Sequence, residues 1–124
     1  VKVGIVYLIR NDCGLYYIGK HLVPASSDPW VVSDKYYGSG LKLKRARCFI
    51  SRGWHPRETI WVGKPTSQRS CSDAQHEEIR IIRQAKGDPL CLNYRFEISD
   101  WVHLFRGVPF IHTDFELPPL GDQL

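Results

Sequence analysis

Glu78 is the residue whose setting most needs a chemical explanation. A helix is predicted from about Asp73 to Lys86. On a wheel of 3.6 residues per turn, Ala74, Ile81, Ile82 and Ala85 share one of its faces. Glu78 falls in the middle of that face and Glu77 at its edge. A carboxylate within an apolar stripe is costly unless an ion pair or a metal satisfies it. Both solutions are open here, because the chain is rich in arginine. Two tyrosines, Tyr7 and Tyr17, form a second signal, with Lys20-His21 just beyond. A third is the basic run Lys42, Lys44, Arg45 and Arg47. Each has an ordinary counterpart: a cross-strand aromatic pair, a solvated strand end, a charged helix face. Together they offer the parts for phosphodiester hydrolysis, which needs an activated water, a cation on the phosphate and a metal to take the developing charge.

The elements that must position these groups are partly legible. Val3 to Arg10 and Leu15 to Lys20 read as strands joined by Asn11-Asp12-Cys13-Gly14. A three-residue loop ending in a left-handed glycine pairs Ile9 with Tyr17 and Tyr7 with Gly19, which puts both tyrosines on one face. A two-residue loop would separate them. His21 to Tyr37 reads as a long surface connection pinned by Trp30, Tyr36 and Tyr37. Gly38-Ser39-Gly40 then opens a helix from about Leu41 to Arg52, with Leu43, Ala46, Phe49 and Ile50 as its apolar stripe and Gly53 at its stop. A third strand is expected over Thr59 to Val62. Ser72-Asp73-Ala74-Gln75 has the form of a capping box, and Gly87-Asp88-Pro89 ends the second helix. Phe96 to Phe105 fits a short helix or strand. Phe110 to Leu124 reads as an irregular tail, with Trp101 and Phe105 packing part of this region back on the domain.

The chain of 124 residues suits one domain, and at 43% hydrophobic and 24% charged it can bury a core. Seventeen Lys and Arg against thirteen Asp and Glu give a net charge of +4, compatible with a polyanionic partner but weak evidence alone. Cys13, Cys48, Cys71 and Cys91 contain no C-x-x-C pair, so reduced thiols are expected rather than a structural zinc site. With no apolar membrane span and no signal peptide, the reading is an intracellular, cytoplasmic protein.

Ile5-Val6-Tyr7-Leu8-Ile9-Arg10-Asn11 resembles the GIY half-motif of the GIY-YIG nucleases, with Ile5 where the motif has glycine. Tyr17-Ile18-Gly19 is an intact YIG half-motif, and Lys20-His21 extends it to the YIGKH form of phage and homing-type members. Tyr37-Gly38-Ser39-Gly40, followed by Leu43-Lys44-Arg45-Ala46, resembles their YxGSG entry to the first helix. Glu78, with Ile81 and Ile82 beyond it, resembles their metal-binding glutamate, and Asn93 their late structural asparagine. In order, these motifs span Val3 to Asn93.

The resemblance implies an α/β sandwich with a central three-stranded antiparallel sheet flanked by helices. It implies a nuclease domain over residues 1–98, with a C-terminal extension over 99–124. It implies a metal-dependent DNA endonuclease using Mg²⁺ or Mn²⁺ held by Glu78. Tyr7 would position or deprotonate the attacking water, aided by a cation at Lys20 or His21, because a free phenol has a pKa of about 10. Tyr17 would hydrogen-bond the phosphate or the water, and Arg45 would clamp the phosphate with its planar fork. Lys42, Lys44, Arg47, Ser39 and Tyr37 would contact substrate, while Gly19 and Asn93 would be structural. Compact members place their arginine about ten residues after the second tyrosine; here Arg45 lies twenty-eight after Tyr17, so Lys44 and Arg47 stay open. Two alternatives remain: a non-catalytic nucleic-acid-binding module on this fold, and a nuclease for branched DNA or RNA. No helix-turn-helix or zinc finger is evident, and homo-oligomer formation stays open.

Overall fold

The computed structural model describes residues 1–31, 41–67 and 72–94. Tyr36, Tyr37, Ser39, Cys71 and everything from Arg95 onward, including the expected element at Phe96 to Phe105 and the tail, lie outside them. Three antiparallel strands form one sheet in the order β2-β1-β3: β1 is Lys2–Arg10, β2 is Tyr16–Pro24 and β3 is Glu58–Thr66. Helix α1 is Leu41–Phe49, helix α2 is Ser72–Gln84, and a short 3-10 turn follows at Leu92–Tyr94. The mixed α/β architecture with a three-stranded sheet and two helices is the one expected. No described helix is long and apolar enough to cross a membrane.

The hairpin follows from its turn. Gly14 takes a φ of +97°, and Gly14 N donates to Asn11 O while Asn11 N donates to Leu15 O. Register then pairs Ile9 with Tyr17 and Tyr7 with Gly19, as the loop length requires. Strand β2 runs further than expected. His21, Leu22 and Val23 continue the ladder opposite Ile5, Gly4 and Val3, so the surface connection begins only after Pro24. Leu22 and Val23 supply the apolar residues of this extension, and Pro24 is its last residue. Trp30 does not pin the connection, since it is more than half exposed.

Central strand β1 is apolar on both faces because both are covered. Side chains alternate across a strand. Val3, Ile5, Tyr7 and Ile9 therefore share one face with Tyr17, Gly19, His21 and Val23, while Val6 and Leu8 share the other with Tyr16, Ile18, Lys20 and Leu22. Helix α1 covers the first face. Leu43, Ala46, Phe49 and Ile50 are fully buried against Tyr7, Ile9, Leu15 and Leu92. Each large side chain so buried contributes roughly 1.5–3 kcal/mol, which a nine-residue helix needs because its own propensity is marginal. Beyond α1, Asn11 Nδ2 donates to Arg52 O at 3.0 Å and Asp12 N to Gly53 O at 2.9 Å, docking that end on the hairpin turn.

Helix α2 covers the second face. A Cβ on Gly63 would meet both the Asp73 carboxylate and the Trp61 ring, and Trp61 pairs with Val6. The Tyr16 hydroxyl donates to Asp88 Oδ2, just past the helix, at 2.6 Å. The first-turn carboxylate that accepts a backbone bond is Asp73's, from Ala74 N at 2.8 Å, and no described bond joins Ser72 to Gln75 in a capping box. Gly87, at φ +90°, follows the helix as expected. Cys13, Cys48 and Cys91 are free thiols; Cys91 is buried and Cys48 exposed.

Candidate active site

The hairpin brings Tyr7 and Tyr17 together with ring centroids 6.5 Å apart and planes tilted by 45°. Gly19 makes this possible. The Tyr7 ring crosses directly over its α-carbon, where any Cβ would fall among the ring atoms. The YIG glycine is thus the floor on which the first tyrosine lies. Tyr7 is only 2% exposed, held in the α1 core cluster, whereas Tyr17 is half-buried at the edge of that cluster. The expectation that Tyr7 meets the attacking water conflicts with that burial; Tyr17 is the more accessible phenol.

His21 lies on the same face, one step along β2 from Gly19. Partial desolvation of its ring, then the positive charges of Arg57 and Lys2, hold its pKa below the usual histidine value. Arg57 escaped the sequence reading. It is a buried guanidinium, 7% exposed, immediately before β3, and its Nη2 donates to Val31 O at 3.3 Å. Beside it Thr59, the partner of Tyr7 in the sheet, buries an Oγ1 with no hydrogen bond. Only the pairing of β3 with β1 sets Thr59 opposite Tyr7 and carries Arg57 near His21; linear spacing holds no such signal.

Glu78 and Lys20 belong to the other face. Glu78 is half-buried on α2, and burial pushes its pKa up, opposed by the nearby Lys20 charge. It makes no ion pair within 4.0 Å among the described residues. Its neighbour Glu77 takes the available arginine instead: Arg80 Nε donates to Glu77 Oε1 at 3.0 Å. The ordinary explanation for an in-stripe carboxylate, a satisfied salt bridge, therefore applies to Glu77 and not to Glu78. The groups expected around a single cleft are divided, with Tyr7, Tyr17 and His21 on one side of β2 and Lys20 and Glu78 on the other. Lys20 cannot act on Tyr7 across the sheet, so of the two expected cations only His21 shares the phenol face.

On α1, Lys44, Arg45 and Arg47 are exposed, while the side chain of Lys42 lies outside the described residues. Arg45 is on the helix that covers the phenol face. Asn93 bonds the backbone of β2 through its side-chain amide. Its Oδ1 accepts from Ile18 N at 2.9 Å, and its Nδ2 donates to Ile18 O at 2.8 Å, so one side chain pairs with the open edge of β2 like a strand.

As a magnesium donor set, Glu78 offers one carboxylate, with two hard oxygens, in a place where burial outweighs the nearby Lys20 charge. Magnesium keeps several waters and commonly takes one or two carboxylates plus substrate phosphate. No group of three or more His, Cys, Asp or Glu side chains is gathered among the described residues. Comparison with family models, curated proteins and solved structures returned no match.

Proposed function

We propose that this chain is a metal-dependent endonuclease that hydrolyses phosphodiester bonds in DNA, working at the rim of β2. The observation that carries the reading is Glu78, a half-buried carboxylate with a raised pKa, near the Lys20 charge and with no ion pair among the described residues. Such a group is costly to the fold and is stabilised by a divalent cation, which supports metal binding over a structural ion pair. Bound there, the metal would supply charge neutralisation to the phosphate and acidify water.

The chain's own residues divide the remaining work. Lys20 and His21 are consecutive on edge strand β2 and point to opposite faces, so the two half-sites are one residue apart along the same rim. Lys20 stands beside Glu78 and can hold a phosphate oxygen near the carboxylate. His21, neutral at physiological pH because its pKa is depressed, can accept a proton from water. Tyr17 offers a hydroxyl to the same water or to the phosphate. Tyr7, sealed in the core over Gly19, is a positioning residue for Tyr17. Arg45, exposed on α1, supplies positive charge from the helix that covers the phenol face.

Conversion of supercoiled plasmid to nicked or linear DNA in Mg²⁺ or Mn²⁺, abolished by EDTA and by Glu78→Ala, is the result this reading requires. The burial of Tyr7 and the split between faces favour a second reading, a nucleic-acid-binding module without catalysis. Wild-type chain that retards DNA in a gel but leaves it uncut in both metals would establish that reading and end the first.

A further inference from the structure

At the C-terminal end of α1 lies a cleft of about 580 Å³ that the hairpin site does not use. Lys44, Arg47, Cys48 and Ser51 line it together with Arg52 and Trp54. The first four are spaced i, i+3, i+4 and i+7, a single stripe of the helix continued into its exit, adjacent to the apolar stripe that binds the sheet. Lys44, Arg47 and Arg52 bring three cations to the cleft, and none of the described residues lining it is acidic. Like charges at this spacing repel in an isolated helix. Asp12, which bonds Gly53 O through its backbone at this end of the helix, has its carboxylate engaged by His55. Trp54 supplies the flat part of the wall. Its Nε1 already donates to Ile50 O at 2.8 Å, so the ring is locked in place and has only its apolar surface to give.

We infer that this cleft is a docking site for the phosphodiester backbone of a nucleic acid, with Lys44, Arg47 and Arg52 on phosphate oxygens and Trp54 against a sugar or base. A cavity of this size accommodates a nucleotide. Positive side chains around a fixed aromatic surface match the alternation of charge and flat apolar surface along a nucleic-acid strand. The inference extends the nucleic-acid reading above to a contact away from the phenols and Glu78, and it does not depend on cleavage. Arg45 is not part of this wall, which separates its role from that of Lys44 and Arg47.

Cys48 gives a direct readout, because it is an exposed thiol in the wall. The full chain is alkylated with iodoacetamide, with and without a short DNA duplex, and the modified cysteines are identified by peptide mass mapping. At a DNA concentration about ten times Kd, Cys48 labelling should slow about tenfold, as occupancy requires. In parallel, Lys44→Gln/Arg52→Gln should lower the slope of log K against log salt by about 2. Thermal melts confirm that the variant is folded, and the Cys48 measurement needs no variant. Unchanged Cys48 labelling at saturating DNA would overturn the inference even if the protein cuts plasmid. Equal protection by polyglutamate would also overturn it, because the cleft would then be a general polyanion sink. Protection by DNA in a chain that never cleaves would leave this site standing while the nuclease reading falls.

Discussion

The side-chain amide of Asn93 grips both backbone groups of Ile18, accepting from its N–H at 2.9 Å and donating to its C=O at 2.8 Å. Ile18 sits between Tyr17 and Gly19, so a residue late in the chain fixes the backbone that sets both phenols. Asn93→Ala removes both bonds to Ile18, together with the acceptor for Cys91 Sγ, and leaves the Ile18 groups to find other partners. The expected loss is about 2–3 kcal/mol, measured by urea unfolding. Asn93→Asp keeps only the acceptor and should be equally destabilising. A loss under about 0.5 kcal/mol for Asn93→Ala, within the usual range of surface substitutions, would mean that the edge of β2 is held some other way.

Gly19→Ala should destabilise the fold by about 1–3 kcal/mol, the usual cost of forcing atoms into a packed site. Its cause is specific, because the added Cβ strikes the Tyr7 ring. In a Tyr7→Leu background the same substitution should cost much less. A double-mutant cycle showing coupling of about 1 kcal/mol or more is the expected result. Strict additivity would show that the glycine is required for a reason unrelated to Tyr7.

Glu78→Gln should have opposite effects on stability and activity. The folded-state pKa of Glu78 is raised above its ordinary value of 4.5, so the folded chain prefers the neutral carboxyl. That preference destabilises the native state above the folded pKa and disappears as pH falls below 4.5. Glu78→Gln should therefore melt higher than wild type at pH 7 without metal, with the difference closing in acid. Metal-dependent cleavage should fall on the order of 10²-fold or more. A variant that melts lower at pH 7 would show that Glu78 already has a favourable partner.

His21 should titrate below the ordinary 6.5. The unfolded chain then takes up a proton first as pH falls, so His21 reduces stability below pH 6.5 and His21→Gln should flatten that limb. Removing either nearby cation should raise the histidine pKa, Arg57→Gln more than Lys2→Gln. Imidazole proton shifts read by NMR test this directly, and exposed Lys2 can be changed without disturbing the core. If His21 accepts the proton in the reaction, cleavage should decline as pH drops through the same value, and the midpoint should move up in Lys2→Gln.

Much of the site was readable because its signals are local. The loop from Asn11 to Gly14 fixes the register, and register alone puts Tyr7, Tyr17 and Gly19 on one face. The apolar stripe Leu43, Ala46, Phe49 and Ile50 is a pure helix period, and all four residues are buried. Asn93 could be singled out only by its place in a motif, since nothing in the residues around it announces that it reaches Ile18. Arg57 was illegible, because a charged residue after a proline looks like an ordinary loop position until β3 pairs with β1.

The order and kind of the main elements, the hairpin register and the in-stripe place of Glu78 were therefore determined by the linear chain. Each rests on backbone periodicity or on the conformational demands of a turn. Which helix covers which face of the sheet was decided only by tertiary structure. That choice buries Tyr7, leaves Tyr17 half open, and sets Glu78 on the Lys20 side of the sheet, away from both phenols, with no ion pair among the described residues. Periodicity says that a face is apolar but not what will cover it, because hydrophobic burial has no direction and the partner is set by how all the elements pack together.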